Sequence, residues 1–201
     1  MNLLIIAGMP ASGKTTVAEK LSLALGYPIL EKDALKEELF DTVGFTSYAE
    51  KRRLDTAATA VLLRAADALL AAKSSLILVN NFREDAADSV RALLAKHGAS
   101  CVTLFFKGDG DVFYERYVAR DLRGVRHLGH VLQEHYPPRE GDALSYTMTR
   151  EEFADKFEKL GMDKFDAGGC RLEIDATHPE AIDIDALLQS IRQAFGEQEN
   201  L

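Results

Sequence analysis

The eight residues Gly8-Met9-Pro10-Ala11-Ser12-Gly13-Lys14-Thr15 constrain this chain more than any other part of it. They satisfy the pattern G-x-x-x-x-G-K-[ST] at every fixed position. They leave an apolar run, Asn2 to Ala7, and enter a stretch, Thr15 to Leu25, in which Val17, Ala18, Leu21 and Leu25 keep helical spacing. A strand that passes through glycines into a helix can curl its backbone so that consecutive N–H groups point at one place, with the positive end of the helix behind them. That arrangement cradles phosphates. Lys14 then reaches the β- and γ-phosphates of a nucleoside triphosphate, the Thr15 hydroxyl is offered to Mg2+, and Thr16 is placed at the α-phosphate. Gly8, Pro10, Ala11, Ser12, Gly13, Lys14, Thr15 and Thr16 are therefore the expected nucleotide-binding residues, with Thr15 as the metal ligand.

The near-continuous apolar strand before the loop is what a parallel sheet covered on both faces requires, and the remaining elements keep the alternation. Strands are predicted at Pro28 to Leu30, Ser75 to Val79, Cys101 to Phe106 and Arg171 to Ile174. Helices are predicted at Ala34 to Val43, Lys51 to Lys73, Glu84 to His97, Asp111 to Arg123, Thr149 to Leu160 and Asp185 to Phe195. The long second helix is expected to turn Leu54, Ala58, Val61, Leu62, Ala65 and Leu69 inward, and the last to bury Leu187, Leu188, Ile191 and Phe195. Gly124 to Tyr146 reads as irregular and Gly196 to Leu201 as a frayed tail. The expectation is a single α/β domain over residues 1–201, three-layered, with a parallel sheet between two sets of helices.

Composition narrows the partners. A formal charge of −8 would repel a polyanion, so long nucleic acid is not expected. No apolar run approaches the roughly 20 residues that cross a bilayer, and Leu3 to Ala7 is too short for a signal core. Cys101 and Cys170 each open an apolar run that reads as a buried strand, and two reduced core thiols fit a cytoplasmic protein.

In an open α/β sheet ligands bind beyond the C-terminal ends of the strands, so the residues just past them are candidates for chemistry. Asp33 follows the second strand by three residues. It could accept the proton of a hydroxyl attacking the γ-phosphate, or cap the helix starting at Ala34, or both. After the third strand stand Asn80 and Asn81, which could orient an acceptor or metal-bound water, or simply start a turn; no acidic residue precedes Glu84. Arg116, Arg120 and Arg123 recur on one helical face and Arg126 follows, four guanidiniums in eleven residues of an acidic chain. They suit a lid, residues 116–146, closing on the triphosphate, or else a solvated face paired with Glu115 and Asp121. His127, His130 and His135 in the same stretch suggest hydrogen bonding to phosphate or acceptor more than a metal site.

The strand and loop, Asp33, and the segments Arg116-Tyr117-Val118-Ala119-Arg120 and Arg126-His127-Leu128-Gly129-His130 resemble the P-loop kinase group that contains polynucleotide kinase 5′-kinase domains, zeta toxins and chloramphenicol phosphotransferases, and within it bacterial AAA-family ATP-binding proteins. The resemblance implies a five-stranded parallel sheet, ATP with Mg2+, catalytic roles for Lys14 and for Asp33 as base, and lid arginines at Arg116, Arg120 and Arg126. The chain departs from polynucleotide kinases and zeta toxins at Lys36, where they tend to carry arginine, and at Asn80 and Asn81, where many P-loop proteins carry an acid. The implied activity is phosphoryl transfer from ATP to a hydroxyl of a small molecule or nucleotide. Two other readings are an ATP-hydrolysing switch acting on a protein partner and a kinase of sugar nucleotides like the zeta toxins. With 201 residues there is little room for an effector domain, which favours the kinase.

Overall fold

Successive side chains of a strand point to opposite faces of its sheet. In the computed structural model, which describes residues 1–142 and 148–196, both faces of the first strand are dry: Leu3, Ile5 and Ala7 on one side and Leu4 and Ile6 on the other are fully buried. The elements in chain order are β1 (Asn2–Gly8), α1 (Lys14–Leu25), β2 (Ile29–Glu31), α2 (Lys32–Val43), α3 (Tyr48–Ala71), β3 (Leu76–Val79), α4 (Ala87–His97), β4 (Ser100–Lys107), α5 (Gly110–Leu122), α6 (Leu128–Val131), α7 (Arg150–Lys159), β5 (Cys170–Asp175) and α8 (Ile184–Phe195), with short 3-10 turns at Glu84–Ala86 and Pro179–Ala181. The five strands are all parallel in the order β2-β3-β1-β4-β5, with Leu3 level with Leu76 on one side and Cys101 on the other.

Helices α1, α5, α7 and α8 cover the face of Leu4 and Ile6, where Phe106, Phe113 and Ile191 are buried, while α3 and α4 cover the face of Leu3 and Ile5 with Leu62, Leu70 and Val90. A third, smaller cluster of Phe40, Phe45 and Leu132 lies where α2, the start of α3 and α6 meet. Because β3 and β4 flank β1 on opposite sides, the connections leaving them diverge and open a crevice at the C-terminal ends of the strands.

The three-layer expectation holds, with local differences. The long helix begins at Tyr48, where the Ser47 side chain accepts from the Glu50 amide, and its buried row is Lys51, Ala58, Leu62, Ala66 and Leu70. Val61 is 47% exposed, not inward as its spacing suggested. An alanine- and leucine-rich helix offers several apolar stripes, and only packing chooses among them. Cys170 lies in the edge strand β5 and is half-buried, so only Cys101 sits in the core; both thiols are free. Burial pushes the Cys101 thiol up to about 11. The irregular stretch carries α6 and a β-bridge between Phe45 and Tyr136; its end, Ala143 to Tyr146, and the tail beyond Gly196 lie outside the described residues. Among the described residues no helix is long and apolar enough to cross a membrane.

Candidate active site

The loop between β1 and α1 is held by its glycines. At Gly8, with φ of 128°, a Cβ would sit 2.1 Å from the carbonyl oxygen of Phe106, so only glycine lets β1 turn away this close to β4. Gly13 enters α1 in the left-handed conformation, and no side chain caps that helix. The first-turn amides of α1 thus face the crevice with no acidic residue in that turn, which suits an anion. Ser12, fully buried, donates to the Met9 carbonyl at 2.7 Å and stiffens the turn.

Lys14 curls back over the loop, donating to the Met9 carbonyl at 2.5 Å and to Ser12 Oγ at 3.3 Å. It is only 8% exposed. Desolvation brings its pKa down to about 7; the charge of Asp33 opposes that fall and the charge of Arg120 adds to it. A lysine so placed is only partly charged near neutrality and regains its full charge when phosphates arrive. Beside it, the Thr15 hydroxyl donates to Glu31 Oε1 at 2.7 Å. A hydroxyl and a carboxylate side by side are hard oxygen donors of the kind Mg2+ takes. Burial, with Asp33 and Glu37 nearby, raises the Glu31 pKa against the hydrogen bond from Thr15, so a cation here would relieve crowded negative charge.

Asp33 lies in the first turn of α2, which starts at Lys32 with Glu31 before it, and it makes no capping hydrogen bond. The capping role read from sequence is therefore absent. The residue is exposed into a cavity of about 780 Å³ that it shares with the phosphate loop. Desolvation tends to raise its pKa, but His130, Lys36, Lys32 and Arg126 outweigh it and hold the carboxyl below its ordinary value. The pKa of His130 is itself lowered by burial, against its contact with Glu37, so at neutral pH the lysines and Arg126 carry that effect. Lys32 and Lys36 are in turn fixed by Asp55 at 3.0 and 2.8 Å, whose carboxyl they hold at about 2 against its own desolvation.

All four arginines of the predicted face line the same cavity, but their surroundings differ. Arg116 is pinned by two carbonyls, donating to Ala176 O at 3.0 Å and to Thr177 O at 2.5 Å. Arg126 lies 4.7 Å over the Tyr117 ring and pairs with the buried Asp121 at 3.2 Å. Arg120 and Arg123 are exposed to the cavity. Of the suggested surface partners, Glu115 instead faces Arg150 at 3.5 Å. The histidines pair one by one with carboxylates: His127 with Asp41 at 3.1 Å, His130 with Glu37 at 3.0 Å and His135 with Asp142 at 2.8 Å. At Gly129 a Cβ would meet the Phe40 ring at 2.2 Å, so glycine lets α6 press onto α2.

Sequence reasoning missed Glu31, Asp55 and Lys51. Glu31 had a signal, since it closes β2 at the sheet's C-terminal edge, two residues before Asp33. Asn80 and Asn81, where the acid was sought, line the cavity from the end of β3. Lys51 is buried in α3 and donates to the His130 and Leu132 carbonyls at 3.0 and 2.5 Å, clamping the segment that carries His130. Its pKa falls to about 7 by desolvation and by repulsion from Lys36, Arg126 and Lys156.

Residues 3–134 match the AAA_33 family model, described as an AAA domain. A Chloroflexus aurantiacus protein provisionally described as a kinase is 31% identical, with 96% of this chain and 97% of that one covered and a TM-score of 0.79. At 16% identity the Deinococcus radiodurans tunicamycin resistance protein (98% and 96% covered, TM-score 0.57) shares the fold. So does the Sinorhizobium meliloti gluconokinase at 17% (97% and 91%, TM-score 0.53). No curated protein sequence matches significantly. The phosphate loop at the end of β1, the parallel sheet and these matches lead to one assignment: the chain belongs to the AAA_33 family of AAA domains, within the P-loop kinase-like group.

Proposed function

We propose that the protein is an ATP-dependent phosphotransferase that moves the γ-phosphate to a hydroxyl of a small molecule, and that residues 1–201 act as one kinase unit. The observation that carries this reading is the position of Asp33: an ionised carboxylate, exposed in the same cavity as the phosphate loop and close enough to Lys14 for their charges to interact. In this reading the backbone amides from Gly13 onward and Lys14 hold the triphosphate. Asp33 takes the proton as the acceptor oxygen bonds to the γ-phosphorus and the bond to the ADP oxygen breaks. Thr15, with Glu31 behind it, would hold Mg2+, which when bound neutralises phosphate charge. Arg116, fixed by its two carbonyls, forms a rigid wall of the nucleotide site, while Arg120 and Arg126 meet the charge that shifts during transfer. The described part of the arginine segment, residues 116–142, serves as the lid.

Asp33→Asn should bind Mg-ATP as the wild type does and lose transfer by about 10²- to 10⁴-fold, because the amide cannot accept the acceptor's proton. The assay is ATP consumption against hydroxyl-bearing metabolites, antibiotics, nucleosides and 5′-hydroxyl oligonucleotides; near-normal transfer would make Asp33 structural. Glu31→Gln should leave ATP binding intact but raise the Mg2+ concentration needed for half-maximal turnover about tenfold or more, the usual cost of losing an outer-shell carboxylate. An unchanged Mg2+ requirement would reduce Glu31 to a partner that only orients Thr15.

A further inference from the structure

The cleft carries more positive charge than a Mg-bound triphosphate calls for. Nine lysines and arginines line it against four carboxylates, and two more carboxylates, Asp85 and Asp121, pair with Arg83 and Arg126 from outside the lining, in a chain whose formal charge is −8. Five of these cations fall into two groups. The cation whose charge bears on Lys14 is Arg120. Those that bear on Lys156, which projects from α7 into the same cavity, are Arg126 and Lys36. Asp33 belongs to both groups, since its charge acts on Lys14 while Lys36 and Arg126 act on it.

Two members of the second group, Lys36 and Lys156, are short of counter-charge. Lys36 must share Asp55 with Lys32. Arg126 is committed to Asp121. Lys156 has no carboxylate partner among the described residues, and desolvation together with Arg126 and Lys36 lowers its pKa. Like charges gathered in a cleft without compensation cost free energy that an arriving anion returns. A triphosphate on the loop meets Lys14 and Arg120, with Arg126 turned to the transferring phosphoryl, and leaves Lys36 and Lys156 unmatched.

We propose that Lys36 and Lys156 form a second anion subsite, with Asp33 between it and the phosphate loop, and that the phosphoryl acceptor is a hydroxyl compound carrying its own phosphate or carboxylate. This rests on the kinase reading, because only there does Asp33 mark the place of the hydroxyl. The acceptor's anion sits on the lysines while its hydroxyl reaches Asp33, which selects substrates by the spacing between the two groups.

The test loads the protein with Mg2+ and the non-hydrolysable analogue adenylyl imidodiphosphate, then titrates inorganic phosphate or acetate calorimetrically into wild type and Lys156→Met. Lys156 is exposed, so the variant keeps its fold, and methionine keeps the chain length. The expected result is one anion site on the nucleotide-loaded wild type, weakened tenfold or more in Lys156→Met, with the analogue's own affinity unchanged. Tighter phosphate binding assigns a phosphorylated acceptor, and tighter acetate binding a carboxylic acid. Absence of anion binding to the loaded protein, equal binding by the variant, or a variant that loses affinity for the analogue would each overturn the subsite. Failure of the wild type to bind the analogue would instead overturn the kinase reading, and the subsite with it.

Discussion

Replacing Lys14 with alanine should remove detectable ATP turnover, a loss of at least about a thousandfold, while the protein still folds. The Lys14 ammonium lies on the loop where it can bridge the β- and γ-phosphates, and among the described residues no other lysine donates to the loop carbonyls. Folding does not depend on it, because burial already works against its charge and holds its pKa at about 7. The sign can be worked out. Between about pH 7 and pH 10.5 the unfolded chain keeps the Lys14 proton and the folded chain has released it, so this residue makes the stability of the nucleotide-free protein rise with pH across that window. In Lys14→Ala that contribution disappears. Bound phosphates pull the proton back, so the Mg-ATP affinity of the wild type should fall as pH rises above about 7, by at most about tenfold per pH unit. Turnover, calorimetric affinity at several pH values and thermal midpoints of both proteins provide the check. Unchanged turnover in folded Lys14→Ala would sink the assignment of the loop.

Arg120→Ala and Arg126→Ala should both slow turnover far more than they weaken Mg-ATP binding, by about 10³-fold or more, but with different effects on stability. A guanidinium aimed at charge that shifts in the transition state contributes more to the barrier than to ground-state affinity. Arg120 is exposed to the cavity, so its loss should leave the thermal midpoint within experimental error. Arg126 is different. Its partner Asp121 is 5% exposed, and removing one half of such a pair strands a buried charge at a cost of about 3–5 kcal/mol. Arg126→Ala should therefore melt well below the wild type. Normal rates in both variants would return the arginines to a structural role, and a normal midpoint in Arg126→Ala would mean that Asp121 finds another partner.

The sheet and its two helical layers were legible because their information is local. An apolar run, a glycine stop and a 3.6-residue period each name an element without knowledge of its neighbours. The phosphate loop was legible for the same reason, since its chemistry lies in one continuous segment. What stayed hidden is what only folding brings together. Glu31 reads as the end of a short strand until α1 places Thr15 beside it. Lys51 reads as the solvated start of a helix until the carbonyls of His130 and Leu132 surround its ammonium. Arg126 reads like its neighbours until Asp121 and Tyr117 enclose it. In each case the partner lies on another element or beyond the helix end, and periodicity carries no record of it.

The small cluster of Phe40, Phe45 and Leu132 stands apart from the two cores that pack against the sheet. Substitutions at well-separated sites act almost independently on stability. Changes beneath α2 and α6 can therefore accumulate in a lineage, reshaping the wall beside Asp33, while the nucleotide machinery on β1 and α1 goes undisturbed. In the kinase reading proposed above, a chain built this way can drift from one acceptor to another without passing through an unfolded ancestor.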